Sequence, residues 1–593
     1  MNYSQTLERL PAHLRQYVVQ QDYEAYDAID QCVWRFVLLQ TYNQLKRTAH
    51  PAYINGLAQT GISVERIPRI EEMDACLNRF GWGAVCVDGF IPPRAFQEFQ
   101  SLGIMTIATE IRTAAHLAYT PAPDIIHESA GHSPIIPDPE YRHFLQRFGE
   151  VGKRAFASHE DLAVYNAIRN LSEVKEDPSS TPADIDLAEH SLIQALDSVT
   201  FITEAALMSR LHWWTVEYGL VGTPSDYKIY GAGLLSSVGE SYFCHDPKIR
   251  KIPLTADCIQ VGYDITKPQP QLFVAHDFQH LNQVLDEVAE GLAFKVGGLS
   301  ALEKAQKSTE VGTVVLNSGL QIMGVLSQFL VENEQLIFAK WDGPCALGYD
   351  NQTLESQSRD NHAHGFSSPF GPLKDGSLLA QFKAVDLQQR GWNVDQRIQM
   401  EFASGIQVQG LLKRTQFSPV GNLLVLTLVD AKVWRGSDIY YLPEWGSFDM
   451  AVGEKVTSAF AGPADISFWP ATEFPQKTVP KPKKYNSADK ALLKMYEEAM
   501  DLWRHHSFNH EKVIQGFDSI DQKLDEQYSE EWLLRWNLLE SLKKMDRGVM
   551  LCSHLKNKLL EIEERHYQDA PITMGLKYLG FIEKAEAEAV STQ

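Results

Sequence analysis

No run of about 18 uncharged apolar residues occurs in this chain, so no helix long and apolar enough to span a membrane is expected. Nor does it open on a secretory leader: Met1-Asn2-Tyr3-Ser4-Gln5-Thr6-Leu7-Glu8-Arg9 lacks a basic segment followed by an apolar one. Cysteine is sparse. The seven, Cys32, Cys76, Cys86, Cys244, Cys258, Cys345 and Cys552, lie far apart, odd in number and without a CxxC pair. That argues against a disulfide framework and for a reducing compartment, and a cytoplasmic location is expected. Basic charge is short as well: 54 Lys and Arg against 76 Asp and Glu give a formal charge of −22. Such a surface repels phosphate backbones, so nucleic acid is not an expected partner. The one short basic cluster, Lys477-Thr478-Val479-Pro480-Lys481-Pro482-Lys483-Lys484, reads as a solvated linker.

What is there is a chain of 593 residues, 44% hydrophobic and 22% charged, too long for one hydrophobic core and too apolar to be disordered. Tyr26, Ile29, Val33, Phe36, Val37 and Leu45 recur at helical spacing between Asp22 and Lys46. Ala84 to Val87 reads as a short strand ending at Asp88-Gly89. From about Arg142 to Leu220 the pattern is mostly helical, broken by a surface turn at Glu176 to Pro182, and another helix is expected over about Asp277 to Lys295. The expected division is a front domain over 1–345, mainly α with little sheet, and a polar linker over 346–375, rich in Ser, His, Gly and Pro. A small β-rich domain over 376–470, a second linker over 471–488 and a helical region over 489–593 complete it.

Chemistry concentrates in Pro123-Asp124-Ile125-Ile126-His127-Glu128-Ser129-Ala130-Gly131-His132-Ser133-Pro134 and in Trp213-Trp214-Thr215-Val216-Glu217-Tyr218-Gly219. Two imidazoles and a carboxylate, His127, His132 and Glu217, form a set that leaves half of an octahedral metal's positions open on one face. That suits a non-haem Fe(II) centre binding O2 beside its substrates. Pro123 suits a helix start, and Gly131 with Pro134 marks its end. The histidines stand at i and i+5, about 140° apart on an ideal α-helix, unlike the i, i+4 pair of HExxH zinc peptidases. Both can reach one metal only if the helix unwinds near Gly131. A lone histidine is often just a hydrogen-bonded core residue. A buried glutamate needs a partner, however, and a metal is the obvious one.

At these residues the chain resembles the pterin-dependent aromatic amino acid hydroxylases, whose iron motif has the form PDxxHExxGHxP followed by a TVEFGL-like segment. A third shared block is Tyr230-Gly231-Ala232-Gly233-Leu234-Leu235-Ser236-Ser237-Val238-Gly239-Glu240, and the resemblance covers roughly residues 25 to 300. It implies Fe(II) held by His127, His132 and Glu217, with Glu128 beside the metal facing a tetrahydropterin co-substrate, tetrahydrobiopterin or a relative. It implies that Phe96 is the platform on which the pterin stacks and that the backbone of Gly89, Phe90 and Ile91 bonds its polar edge. Arg112 would clamp the substrate carboxylate, with Asp124 holding it. Tyr119, Thr120, Pro123, Trp213, Gly233 and Ser236 would line the amino acid pocket, Ser236 also orienting His127.

The activity implied is hydroxylation of an aromatic amino acid with O2 and the pterin. Trp213 and Val274 match the pattern of the phenylalanine enzymes, making tyrosine the expected product and tryptophan hydroxylation the alternative. A zinc-dependent hydrolase with Glu128 as base is a rival from another class, disfavoured by the i+5 spacing. The chain also departs from the family. The interval from His132 to Glu217 is longer, with the excess expected around Glu160 to Ser191 as a helical insertion. Ser129-Ala130 replaces a bulkier pair, and His212 stands where Tyr is common. The matching region leaves no room for an amino-terminal regulatory domain. About 250 residues follow it, as in the long bacterial form of the family, and these could mediate oligomerisation or bind a partner.

Overall fold

A computed structural model describes residues 3–89, 91–114, 117, 123–176, 180–265, 268–468, 486–565 and 572–582. Phe90, Tyr119, Thr120, residues 177–179 of the turn after Glu176 and nearly all of the linker expected over 471–488 lie outside the described residues.

The front of the chain is built around the helix Ala28–Thr48. It starts at Ala28 rather than Asp22 because Asp27 caps it: the Asp27 carboxylate accepts from the Ile29 and Asp30 amides, and Asp30 accepts in return from the Asp27 amide. Every residue from Asp30 to Thr41 is buried, more than three turns without a solvent face. A helix covered on all sides lies between two bodies of protein. On one side it packs against the short helices Ala232–Ser236 and Val238–Phe243 of the front region, and on the other against the tail.

Two small sheets position the site. Gly83–Val87 runs parallel to Ile104–Ala108 through the crossover helix Pro93–Ser101, with Val18–Val19 antiparallel on its other edge. Both parallel strands are apolar but for Thr106 and buried at every residue, as strands covered on two faces are. Their carboxyl ends lead into Gly89 and Glu110, the end at which open parallel sheets place ligand sites. The second sheet runs in the order Asp226–Ile229, Leu220–Thr223, Gln271–Ala275, Arg250–Pro253, and its register sets Val274 opposite Leu220.

The β-rich part begins earlier than the sequence suggests. Gly312–Leu316, Leu320–Glu332 and Gln335–Tyr349 are already strands, and Gln352–Thr353 and Gly365–Pro369 follow within the stretch expected to be linker, so the 345/346 boundary is corrected. These five join Val456–Ala461 in a six-stranded sheet. The connections are tight hairpins whose turn residues Asn333, Glu334, Asp350 and Asn351 all have positive φ, a two-residue turn that matches strand twist. The polarity of 352–369 reflects an edge position rather than a linker. A five-stranded sheet from Arg397 to Ala451 packs against the first, Leu424 and Val425 entering the core of the six-stranded sheet.

Helices Ser487–His506, His510–Gln527, Leu533–Met545, Val549–Arg565 and Ile572–Tyr578 form the tail. They return to the helix Ala28–Thr48 and share one apolar core with it. Phe36 meets Trp536 edge-on at 4.6 Å, and Arg35 Nη2 bonds Glu540 at 2.9 Å across 505 residues of sequence. Glu540 is 1% exposed, so its charge depends on Arg35 and on Lys544 at 2.9 Å. Glu540→Ala would leave Arg35 buried with only the exposed Glu65 to answer it. We expect a loss of about 3 kcal/mol in urea unfolding, against little change for Glu65→Ala.

Candidate metal centre

His127 and His132 lie on Ile126–His132, and this segment is neither α-helical nor unwound. It is wound as a π-helix, closing i→i+5 hydrogen bonds. The wider turn is the answer to the spacing problem, because residues five apart come nearly into line. Pro123 stands outside the helix, and Asp124 opens it, its Oδ1 accepting from the His127 amide at 2.9 Å. Glu217 closes a second π-helical segment, Trp213–Glu217. Glycine lets these segments meet: a Cβ on Gly131 would lie 2.8 Å from the Ala232 carbonyl, and one on Gly231 would lie 2.4 Å from the Glu217 carbonyl.

Three donor atoms converge. His127 Nε2 is 3.0 Å from His132 Nε2 and 3.3 Å from Glu217 Oε2, and His132 Nε2 is 3.2 Å from Glu217 Oε1. Ser236 settles one tautomer. Its hydroxyl donates to the Ala232 carbonyl at 2.8 Å, so at 3.0 Å it accepts from His127 Nδ1–H, and the His127 Nε2 lone pair faces the centre. Ligands about 2.1 Å from a common ion and mutually at right angles stand about 3.0 Å apart, so the triad fits a divalent metal. Two imidazoles and one carboxylate on a single face are the donor chemistry of non-haem iron.

Two carboxylates compete for the ligand role. Glu128 also offers an oxygen within 4.8 Å of both imidazole nitrogens. Burial pushes its carboxyl up to about 8; His132 works against this, Glu217 and Asp124 with it. Burial pushes Glu217 up too, but the facing His132 and His127 outweigh it and hold the group well below the usual carboxylate range. Of the two, Glu217 is the carboxylate held as an anion facing both imidazoles. Glu128 Oε2 is buried and makes no hydrogen bond among the described residues. His212 reaches Glu217 Oε1 only at 3.7 Å, its ring lying edge-on to Phe96 and Phe148, and burial lowers it to about 4. It fills space as a neutral ring behind the carboxylate.

Beside the metal ligands sits a buried ion pair. Arg112 Nε bonds Asp124 Oδ2 and Nη2 bonds Oδ1, both at 2.8 Å, while the Arg112 amide adds a third contact at 3.0 Å. Burial raises Asp124, and Arg112 outweighs it, keeping the group ionised. Asp124 takes one N–H from Nε and one from Nη2, and the Ser236 carbonyl takes one from Nη1 at 3.4 Å, which leaves one N–H on each Nη atom.

Residues 18–164 and 181–299 match the family model described as biopterin-dependent aromatic amino acid hydroxylase. The match takes in a little under half of this chain, all of it in the front region. The break in the match, 165–180, falls within the stretch expected to hold the family-atypical insertion, where the helices His159–Glu176 and Pro182–Asp197 pair through Ala167, Leu171, Ala188 and Leu192. Among relatives, the phenylalanine-4-hydroxylase of Pseudomonas aeruginosa is 28% identical over 264 residues, 44% of this chain and 84% of that protein. That of Caulobacter vibrioides is 26% identical over 274 residues, 46% and 75%. A crystal structure of Chromobacterium violaceum phenylalanine hydroxylase with bound iron(III) and 7,8-dihydrobiopterin aligns at 23% identity and TM-score 0.37, covering 46% of this chain and 85% of that one.

The Gly89 amide donates to Glu110 Oε2 at 3.1 Å, and burial with a hydrogen bond to Asp88 pushes Glu110 up to about 8. Ile91 is half-buried on a small apolar cluster, and Phe96 faces His212. Gly233 is a packing glycine, since a Cβ there would lie 3.0 Å from the Tyr218 ring and 3.1 Å from the Glu217 carbonyl. Trp213 is stacked between Tyr218 at 4.6 Å and Tyr263 at 4.3 Å. Tyr263, in an irregular segment 46 residues beyond Glu217, carries no motif that sequence reasoning could have used. Ser236→Ala removes the acceptor that fixes the His127 tautomer. It should weaken Fe(II) binding about 10- to 100-fold with the fold intact, measured by titration against a competing chelator.

Proposed function

We propose that this protein is a monooxygenase that hydroxylates an aromatic amino acid, L-phenylalanine to L-tyrosine, with O2 and a tetrahydropterin at non-haem Fe(II). The observation that carries the reading is the convergence of His127 Nε2, His132 Nε2 and Glu217 within 3.3 Å of one another beside the buried Arg112–Asp124 pair. The relatives' printed activity supports the substrate, as does the occurrence of Trp213 and Val274 at the positions that match the phenylalanine enzymes.

Bound iron and pterin would supply the activation of O2, and the chain's own residues supply position. Arg112 would grip the substrate carboxylate with the N–H left over on each of Nη1 and Nη2, held in orientation by the fork that Asp124 makes with Nε and Nη2. Trp213, immobilised in its stack, would wall the ring pocket with Pro123. Phe96 would carry the pterin ring, with the backbone of Gly89 to Ile91 at its polar edge and Glu128 on the side facing the metal. Asp124 accepts from both Arg112 and the His127 amide, so substrate clamp and metal ligand share one support. The fixed separation of clamp and metal is what would set which ring carbon is presented.

A cytoplasmic location fits the seven unpaired thiols, and among the described residues no helix is long and apolar enough to cross a membrane. The deciding assay offers phenylalanine, tryptophan and tyrosine separately to Fe(II)-loaded protein with a tetrahydropterin in air, identifying products by mass. Tyrosine formed in step with pterin oxidation is expected; pterin oxidation without product would sink the substrate assignment. Glu217→Gln should abolish coupled hydroxylation. Arg112→Lys should raise KM for phenylalanine about 10- to 100-fold, the worth of a charged bidentate contact, with a smaller effect on pterin KM.

A further inference from the structure

A cavity of about 290 Å3 lies where the tail meets the helix Ala28–Thr48, and it shares no lining residue with the metal centre. Tyr496, Trp503 and Phe517 give it aromatic walls, and Arg35, Arg66, Arg504 and one carboxylate, Glu65, line it as well. The charges are not balanced. Arg66 is answered by Glu72 at 2.6 Å, and Arg35 shares Glu540 and Glu65 with Lys544, so that, with Arg504, three carboxylates face four cations. Arg504, on the exposed rim, makes neither an ion pair nor a hydrogen bond among the described residues. Independently, Arg35 Nε is buried without a hydrogen-bond partner on a residue only 9% exposed. An unmet buried donor is costly, about 1–3 kcal/mol, and here it belongs to a residue that borders an open volume.

We propose that this cavity binds a small planar aromatic carboxylate. The volume is at the lower end of small-molecule sites and suits one or two fused rings. Aromatic walls accept a flat apolar body, and guanidinium groups select a planar anion. One cation in excess asks for a single negative charge. The ligand would brace the tail helices Ser487–His506 and Leu533–Met545 against Ala28–Thr48. That helix packs directly on Ala232–Ser236, whose Ser236 orients His127, so the cavity is placed to act on the metal centre from a distance.

The test is calorimetric titration of the full-length iron-loaded protein with 1-naphthoate and with the uncharged 1-naphthamide, in wild type, Arg504→Gln and Ala499→Leu. Ala499 lines the cavity, so leucine there fills it, while Arg504 is exposed and its replacement leaves the core untouched. Expected are saturable naphthoate binding, at least about 5-fold weaker naphthamide binding, a similar weakening in Arg504→Gln, and loss in Ala499→Leu with an unchanged melting temperature. Absence of binding to the wild type overturns the proposal. So does binding that persists in both variants but falls in Arg112→Lys, which would assign the naphthoate to the metal centre's own pocket.

Discussion

Everything at the metal centre depends on a widened helical turn. Two histidines five residues apart diverge on an α-helix, and they converge here because Ile126–His132 is wound as a π-helix. Such winding is uncommon and must be held from outside. Asp124 anchors its start through the His127 amide, and Gly131 lets its end press on the Ala232 carbonyl. Ser236, one turn along from that carbonyl, then sets the His127 tautomer. The second carboxylate-bearing turn is π-wound as well, so both halves of the ligand set rest on the same uncommon geometry. A substitution that restored α-winding would pull the donors apart without touching any of them.

The second organising element is the helix Ala28–Thr48, buried around its whole circumference. Its outward face is covered by residues more than 450 positions away, Tyr496, Trp532 and Trp536 among them. The tail is therefore part of the front region's core. Removing it would expose Phe36 and strand the Arg35 charge, so a truncated chain would test folding before it tested regulation. The buried Arg35–Glu540 pair adds little net stability by itself, but it allows only one seating of the tail on the helix, since any other leaves a buried charge unanswered.

How much of this is legible in the sequence depends on the range of the interaction. The donors are legible because a His, a Gly, a second His and a distant Glu in an aromatic setting rarely coincide without a metal. The i+5 spacing also announces that an ideal helix cannot serve. It does not say whether the turn unwinds or widens, because that is decided by Asp124, Ala232 and Ser236 pressing on the segment from elsewhere in the chain. The strands from Gly312 onward are masked by their likeness to a continuing apolar core. Their hairpin turns, Asn333-Glu334 and Asp350-Asn351, were the available local signal, although Glu is an unusual residue for the left-handed region. The seating of the tail, across some 500 residues, leaves no periodic trace at all.

Asp124 carries more of the chemistry than its place in the motif suggests. Its two oxygens take four donors, the Arg112 side chain twice, the Arg112 amide and the His127 amide, and no lone pair is left for water or substrate. A saturated, buried carboxylate of this kind is rigid, because any rotation breaks at least two charged hydrogen bonds. The guanidinium that would hold a substrate carboxylate and the backbone that carries His127, the first of the candidate metal ligands, are thus fixed to a single group. Asn at this position would keep the size and lose the charge, turning one acceptor into a donor facing Arg112. The damage would then fall on substrate grip and metal affinity together, whereas a defect in either partner alone falls on one of them.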